Sequence, residues 1–203
     1  MDGIIYDREG YTIAEMWVAE GAPGAPRRVK GNSEVCIVPD PGNCFRYYIF
    51  STSANTFTPI GAYTILDMEL PNTYPGNEDR LGALVFGEWN QVDNCKPILS
   101  LGLPDGIGGT MLYGQYQDAF FAATDVNENN ECFVFVQIED GVWKLVIDEN
   151  GISASPDDPI SLSEIFPGYQ ANDWVSLRHV LEVVRLANGN YRLGLTHPVS
   201  SAF

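Results

Sequence analysis

Hydrophobic and polar positions along this chain alternate over short runs broken by turn residues. Residues 62–70 set Tyr63, Ile65, Asp67 and Glu69 against Ala62, Thr64, Leu66, Met68 and Leu70, a period of two that gives one apolar and one mixed face of a β-strand. Upstream, residues 44–50 are dense in aromatic and β-branched side chains. The run before them, residues 35–38, stops at Pro39-Asp40-Pro41-Gly42-Asn43, where two prolines fix φ and remove donors while Gly and Asn supply the bend. Three strands joined in this way read as an antiparallel meander. The same pattern predicts strands at residues 3–6, 11–18, 34–38, 44–51, 62–69, 81–89, 98–101, 110–116, 120–124, 132–139, 142–148 and 191–196. Two hairpins are signalled by their turns, Glu139-Asp140-Gly141 and Ala187-Asn188-Gly189-Asn190. Ser161 and Glu164 have capping-box spacing and predict a short helix over 161–166. Residues 176–187 fit two templates: Leu177, Val180, Leu181 and Val184 form a helical stripe, whereas the valines and the Asn-Gly turn favour a strand. Many short strands with glycines between them predict an all-β sandwich, barrel or propeller.

Composition makes that picture a folded one. The 203 residues are 45% hydrophobic and 12% aromatic, enough to bury a core in one substantial domain or two small ones. Charge narrows the partners. Twenty-seven acids against 11 bases give a net charge of −16, and beyond residue 100 the bases are Lys144, Arg178, Arg185 and Arg192. Such a surface repels phosphate backbones, so nucleic acid and anionic membranes are poor partners. No run approaches the ~20 apolar residues of a membrane-spanning helix, and residues 1–10 lack the basic start and apolar stretch of a secretory signal.

Residues 31–70 resemble a repeat of large secreted and surface proteins of gliding-type bacteria. The matching positions are the Val38-Pro39-Asp40-Pro41-Gly42-Asn43 turn, the Tyr47-Tyr48-Ile49-Phe50 strand and the Asp67-Met68-Glu69-Leu70 strand end. A weaker likeness covers Val183 to Gly189 and Tyr191 to Leu195, and it assigns the ambiguous stretch to a strand. The resemblance implies an antiparallel, propeller-like meander, partial or complete, with a β-sandwich as the alternative, and an insertion within residues 81–167. It also implies export by the type IX route to a secreted, extracellular or cell-surface location, as part of a larger protein. The implied role is non-catalytic: interaction or scaffolding, in adhesion or in association with the secretion and motility machinery. Its partners would be another protein or the remainder of a larger chain, with glycans as a further class. Export in turn favours a disulfide between Cys36 and Cys44, which flank the Pro-Gly turn; four thiols, including Cys95 and Cys132, are the alternative.

Candidate chemistry is sparse. His179 and His197 have no nucleophile elbow beside them, and the cysteines lack the C-x-x-C spacing of zinc or redox sites. The glycine-rich Asp105-Gly106-Ile107-Gly108-Gly109-Thr110 lacks the Lys-Ser/Thr ending of a phosphate loop. Asp125, Asn127 and Asn129 match the opening of a calcium loop, but Asn130 stands where glycine is expected and Val136 where a bidentate carboxylate is needed. Calcium is therefore the one cofactor candidate. The adjacent acids Asp157-Asp158 and Glu139-Asp140 lie in turns, and Trp17, Trp89, Trp143 and Trp174 offer a sugar-stacking surface if exposed. Two other classes follow from these features: a carbohydrate-binding or carbohydrate-active domain, and a structural subunit whose sheet edges are completed by a neighbour.

Overall fold

Consecutive apolar residues in a strand need cover on both sides, because successive side chains point to opposite faces of the sheet. Two stretches have this character, Tyr47-Tyr48-Ile49-Phe50 and residues 132–138. The computed structural model describes residues 3–18, 27–29, 35–53, 60–101, 103, 120–138, 141–165 and 181–195. In it both stretches lie in central sheets that are covered front and back.

The chain begins with β1 (Ile4–Tyr6) and β2 (Thr12–Glu15), an antiparallel pair, followed by β3 (Trp17–Val18) and β4 (Arg27–Arg28), a second pair. Next comes the first central sheet, a meander of β5 (Cys36–Asp40), β6 (Asn43–Ser53), β7 (Ile60–Pro71) and β8 (Leu81–Leu84), with β9 (Lys96–Pro97) added to β7. The second central sheet repeats the plan. Strands β10 (Phe120–Ala123), β11 (Cys132–Ile138), β12 (Gly141–Asp148) and β13 (Gly151–Ala154) form a meander, and β14 (Ile160–Ser161) pairs with β12. A single helical turn, α1 (Leu162–Ile165), leads on to the hairpin β15 (Leu181–Arg185) and β16 (Tyr191–Leu195).

Side-chain alternation determines how these pieces stack. One face of the first sheet presents Val38, Tyr48, Phe50 and Tyr63 to Phe121, Cys132, Val134, Val136, Leu145 and Ile147 of the second, with Ile98 and Leu103 filling the margin. Phe50 is wholly buried there, its ring centroid 5.5 Å from Phe121 and 6.0 Å from Tyr63. The opposite face of the first sheet puts Ile49, Ala62, Leu66 and Leu84 against Ile13, Ala14, Met16, Val18 and Val29. On the far face of the second sheet, Ala122, Phe135 and Val142 pack with Leu162, Leu181, Val183, Tyr191, Leu193 and Leu195. The protein is all-β and antiparallel, a sandwich with a further covering on each outer face. Among the described residues no sheet closes into a barrel, and no helix is long and apolar enough to cross a membrane.

Several predicted boundaries shift. Residues 98–101 form a 3-10 turn, not a strand, because Ile98 has to turn inward to plug the inter-sheet core. The strand expected over 81–89 ends at Leu84, and the one over 11–18 is interrupted at Met16. Strands β4, β9, β13 and β14 are too short to leave a periodic signal. Residues 181–185 are strand, and the Ser161 hydroxyl accepts from the Glu164 N–H at the start of α1, as the capping-box spacing predicts. The strand expected at 110–116 lies outside the described residues.

Replacing Phe50 with alanine empties the centre of the inter-sheet core. The expected loss is about 3–5 kcal/mol of unfolding free energy, read from urea denaturation; a loss near zero would show that the two sheets do not share this core.

Candidate functional site

The calcium-loop residues sit in the connection between β10 and β11. Asn127 organises it: its Oδ1 accepts the N–H groups of Asn129 and Glu131, both at 2.9 Å, and its Nδ2 donates to Glu131 Oε2 at 3.0 Å. The Asn127 N–H donates to the Glu131 carbonyl, and Asn130 takes a left-handed φ of +60°, which asparagine tolerates. The Asn127 oxygen is thus engaged with the loop's own backbone, while Asp125 and Asn129 are exposed. This is the geometry of a closed polar hairpin loop. Among the described residues no three His, Cys, Asp or Glu side chains gather as a metal site.

That loop leans on the turn the sequence singled out. Asn130 Nδ2 donates to the Pro41 carbonyl at 2.9 Å, and Asp40 Oδ1 accepts from the Gly42 N–H at 2.8 Å. A Cβ on Gly42 would come within 3.0 Å of the Glu149 Cα in the β12–β13 turn. The glycine of the Pro-Gly-Asn turn is therefore a point of close approach between the two central sheets.

The register corrects the expected disulfide. Cys36 lies opposite Phe50, whereas Cys44 follows Asn43, the partner of Asp40 at the other end of β5. Four residues of strand separate the two levels, so the Cα atoms are roughly 10 Å or more apart, beyond the ~7 Å reach of a disulfide. All four cysteines stand as thiols. Cys95 and Cys132 are buried, and burial pushes the Cys95 thiol up to about 12 and raises that of Cys132. Cys132 Sγ donates to the Thr124 carbonyl. Cys44 is exposed.

Buried polar groups elsewhere tie elements together. The Asn94 side chain, wholly buried, accepts from the Trp17 N–H at 2.7 Å and donates to the carbonyls of Glu15 at 2.7 Å and Glu88 at 3.2 Å. Its own carbonyl accepts from Thr64 Oγ1. Asn77 donates to the Thr12 carbonyl. Asp67 accepts from Arg46 Nε at 2.7 Å and from the Glu69 N–H at 2.9 Å, just where the β7–β8 register shifts. The Arg46 guanidinium holds the Asp67 carboxyl below the usual carboxylate range. None of these roles was visible as a motif; the one hint was an aspartate on the face of β7 shared with Tyr63 and Ile65.

The tryptophans within the described residues are all partly buried. Trp89 packs edge-on to Tyr74 at 4.6 Å, Trp143 lies against the inter-sheet core, and Trp17 Nε1 donates to Glu15. Asp157 is engaged by Lys144 and Ser155. Trp174, His179, His197, the Glu139-Asp140 pair and the glycine-rich 105–110 lie outside the described residues.

Two outcomes follow. A thiol reagent should modify Cys44 first, with Cys95 and Cys132 reacting only on unfolding, as mass spectrometry of the labelled protein would show; early labelling of Cys95 contradicts its burial. Because Asp67 has a lowered pKa in the folded state, its stabilisation is present above the unfolded value of about 3.9 and is lost as pH falls through the folded value. Asp67→Ala should cost about 1–3 kcal/mol at neutral pH, with the difference from the parent shrinking in acid denaturation. Compared with known proteins, the chain matches no family model, no curated protein and no solved structure.

Proposed function

We propose that this chain is a non-catalytic interaction and scaffold module of an exported bacterial surface protein, built on a propeller-like plan. The observation that carries the reading is the use of the buried polar side chains: Asn94 and Asn77 bond to the backbone of distant segments, and Asp67 to the Arg46 side chain of the adjacent strand and to the backbone of its own, so all three serve the framework. The propeller-like plan draws support from two successive four-stranded antiparallel meanders stacked face to face in chain order, the relation between neighbouring blades. The likeness at Val38 to Asn43, Tyr47 to Phe50 and Asp67 to Leu70 supports export by the type IX route to the cell surface, in adhesion or motility. Its partner is another protein or the remainder of a larger chain.

A glycan array combined with a hydrolase panel tests the non-catalytic part. No reproducible turnover is expected, and turnover abolished by a point substitution would overturn it. Localisation is checked separately by immunoblotting culture fluid, surface and cytoplasmic fractions of the producing bacterium, where confinement to the cytoplasm would remove the export proposal.

A further inference from the structure

Backbone groups along an antiparallel strand point alternately toward its partner strand and away from it. In the last hairpin the Leu186 N–H donates to the Asn190 carbonyl, and this bond sets the phase of the alternation. Counting from there along β16, the N–H and C=O of Arg192 and Gly194 face β15, while those of Tyr191, Leu193 and Leu195 face the other way. Strand β15 itself lies against β10. Among the described residues no strand pairs with the outer edge of β16. That edge contains neither a proline nor a bulge, two of the devices that commonly blunt the side of a sheet. It presents a row of backbone donors and acceptors ready for another strand.

The side chains select the occupant. Tyr191, Leu193 and Leu195 turn inward onto the core around Phe135, and Arg192 and Gly194 turn outward with Glu182, which lies opposite Gly194. Neither Arg192 nor Glu182 has an ion-pair or hydrogen-bond partner among the described residues. A second β16 laid antiparallel on the edge must bring residues of the same face opposite each other. Setting Arg192 against Arg192 opposes like charges, and setting Gly194 against Gly194 leaves Tyr191 and Arg192 beyond the end of the second strand. Setting Leu193 against Leu193 brings Tyr191 opposite Leu195 and Arg192 opposite Gly194. The guanidinium then crosses a residue without a side chain toward Glu182 of the second copy, one strand further on. A Cβ at Gly194 would meet only the Glu182 Cβ, at 3.8 Å, so the way across is open. Two strand spacings are about 10 Å, within the joint reach of extended arginine and glutamate side chains. Although the protein has a net charge of −16, residues 181–195 hold Arg185 and Arg192 against Glu182 alone, so this edge is locally basic and a second copy meets no acidic surface there.

We propose that the outer edge of β16 pairs with β16 of a second copy of this chain, antiparallel about a two-fold axis at Leu193, which joins the two hairpins into one continuous sheet. Tyr191, Leu193 and Leu195 exchange backbone hydrogen bonds with Leu195, Leu193 and Tyr191 of the second copy. Arg192 of each copy pairs with Glu182 of the other, and the inward residues of both hairpins form one apolar surface over two cores. The assignment goes beyond the interaction-module reading and stands or falls apart from it, since it concerns one edge of the fold and no activity.

The test is sedimentation velocity over a concentration series, in which the 22.4 kDa chain is expected to associate reversibly to a species of twice that mass. Arg192→Glu and Glu182→Arg should each weaken association at least about tenfold by placing like charges across the join. Both side chains are exposed, so each variant should keep the parent's melting temperature. An equimolar mixture of the two variants should recover association, because each chain then offers the charge that the other's substitution calls for. Hydrogen exchange on the parent protein needs no variant: the amides of Tyr191, Leu193 and Leu195 should slow as concentration rises, while those of Arg192 and Gly194, already bonded to β15, should not change. A strict monomer at the highest soluble concentration, a dimer that both charge reversals leave intact, a mixture that stays monomeric, or unchanged exchange at the three edge amides would overturn the proposal.

Discussion

Cover on both faces of the central strands is the constraint from which the rest follows. A strand such as β11, buried at Val134, Phe135 and Val136 in succession, is stable only with apolar layers in front and behind. The second sheet supplies one layer to the first and receives one from it, and the remaining faces call for the short pairs at either end of the chain. Those outer pairs, only two strands wide, are too small to stand alone. They persist because their inner faces are the missing halves of two cores. The polar exteriors follow from the same arrangement: the outward residues Glu182 and Arg192 of the last hairpin meet solvent while Leu181 and Leu193 meet the sheet.

Where the two central sheets meet at their tips, hydrophobic contact gives way to backbone proximity. Gly42 admits Glu149, Asn130 reaches Pro41, and Asn127 holds its loop closed so that Asn130 can do so. The Pro-Gly-Asn turn and the Asp/Asn loop, separated by more than eighty residues, are therefore parts of one junction. The side-chain oxygens of Asp40 and Asn127 accept backbone N–H groups of their own turn and loop, which fixes the shape of both halves of the junction.

Strands of seven or more residues were legible in the sequence, since β6, β7, β11 and β12 carry enough side chains to display their pattern. The all-β antiparallel class followed from them. Strands of two to four residues were legible only in part: β1, β2, β3, β8 and β10 fall within predicted runs, whereas β4, β9, β13 and β14 do not, because a strand such as β9 or β14 is fixed by its neighbour's hydrogen bonds and not by its own composition. Register was the second blind spot. Cys36 and Cys44 flank a turn and so look paired, but the irregularity at Asp40 displaces residues 44–46 and leaves Cys36 facing Phe50. Asn94 was invisible for a different reason: an asparagine in a turn-rich stretch carries no periodic signal, and its partners Glu15 and Trp17 lie far away in the chain. The open edge of β16 was hidden as well, because which of its backbone groups face outward is set by its register with β15 and not by its composition.

Asn94 also bears on how the chain acquires its structure. Its partner Trp17 is 77 residues away in sequence and its partner Glu15 is 79 away, so the link from Asn94 to β2 and β3 closes a loop of nearly eighty residues. Contacts of this range carry a large loop-closure cost before any reward, and all-β proteins dominated by them fold on the millisecond-to-second scale. Until Ile49, Ala62, Leu66 and Leu84 pack against them, Ile13, Met16 and Val18 lack their cover. The contacts that seat β2 and β3 on the first sheet are therefore long-range ones, and Asn94 is the polar residue in which they converge.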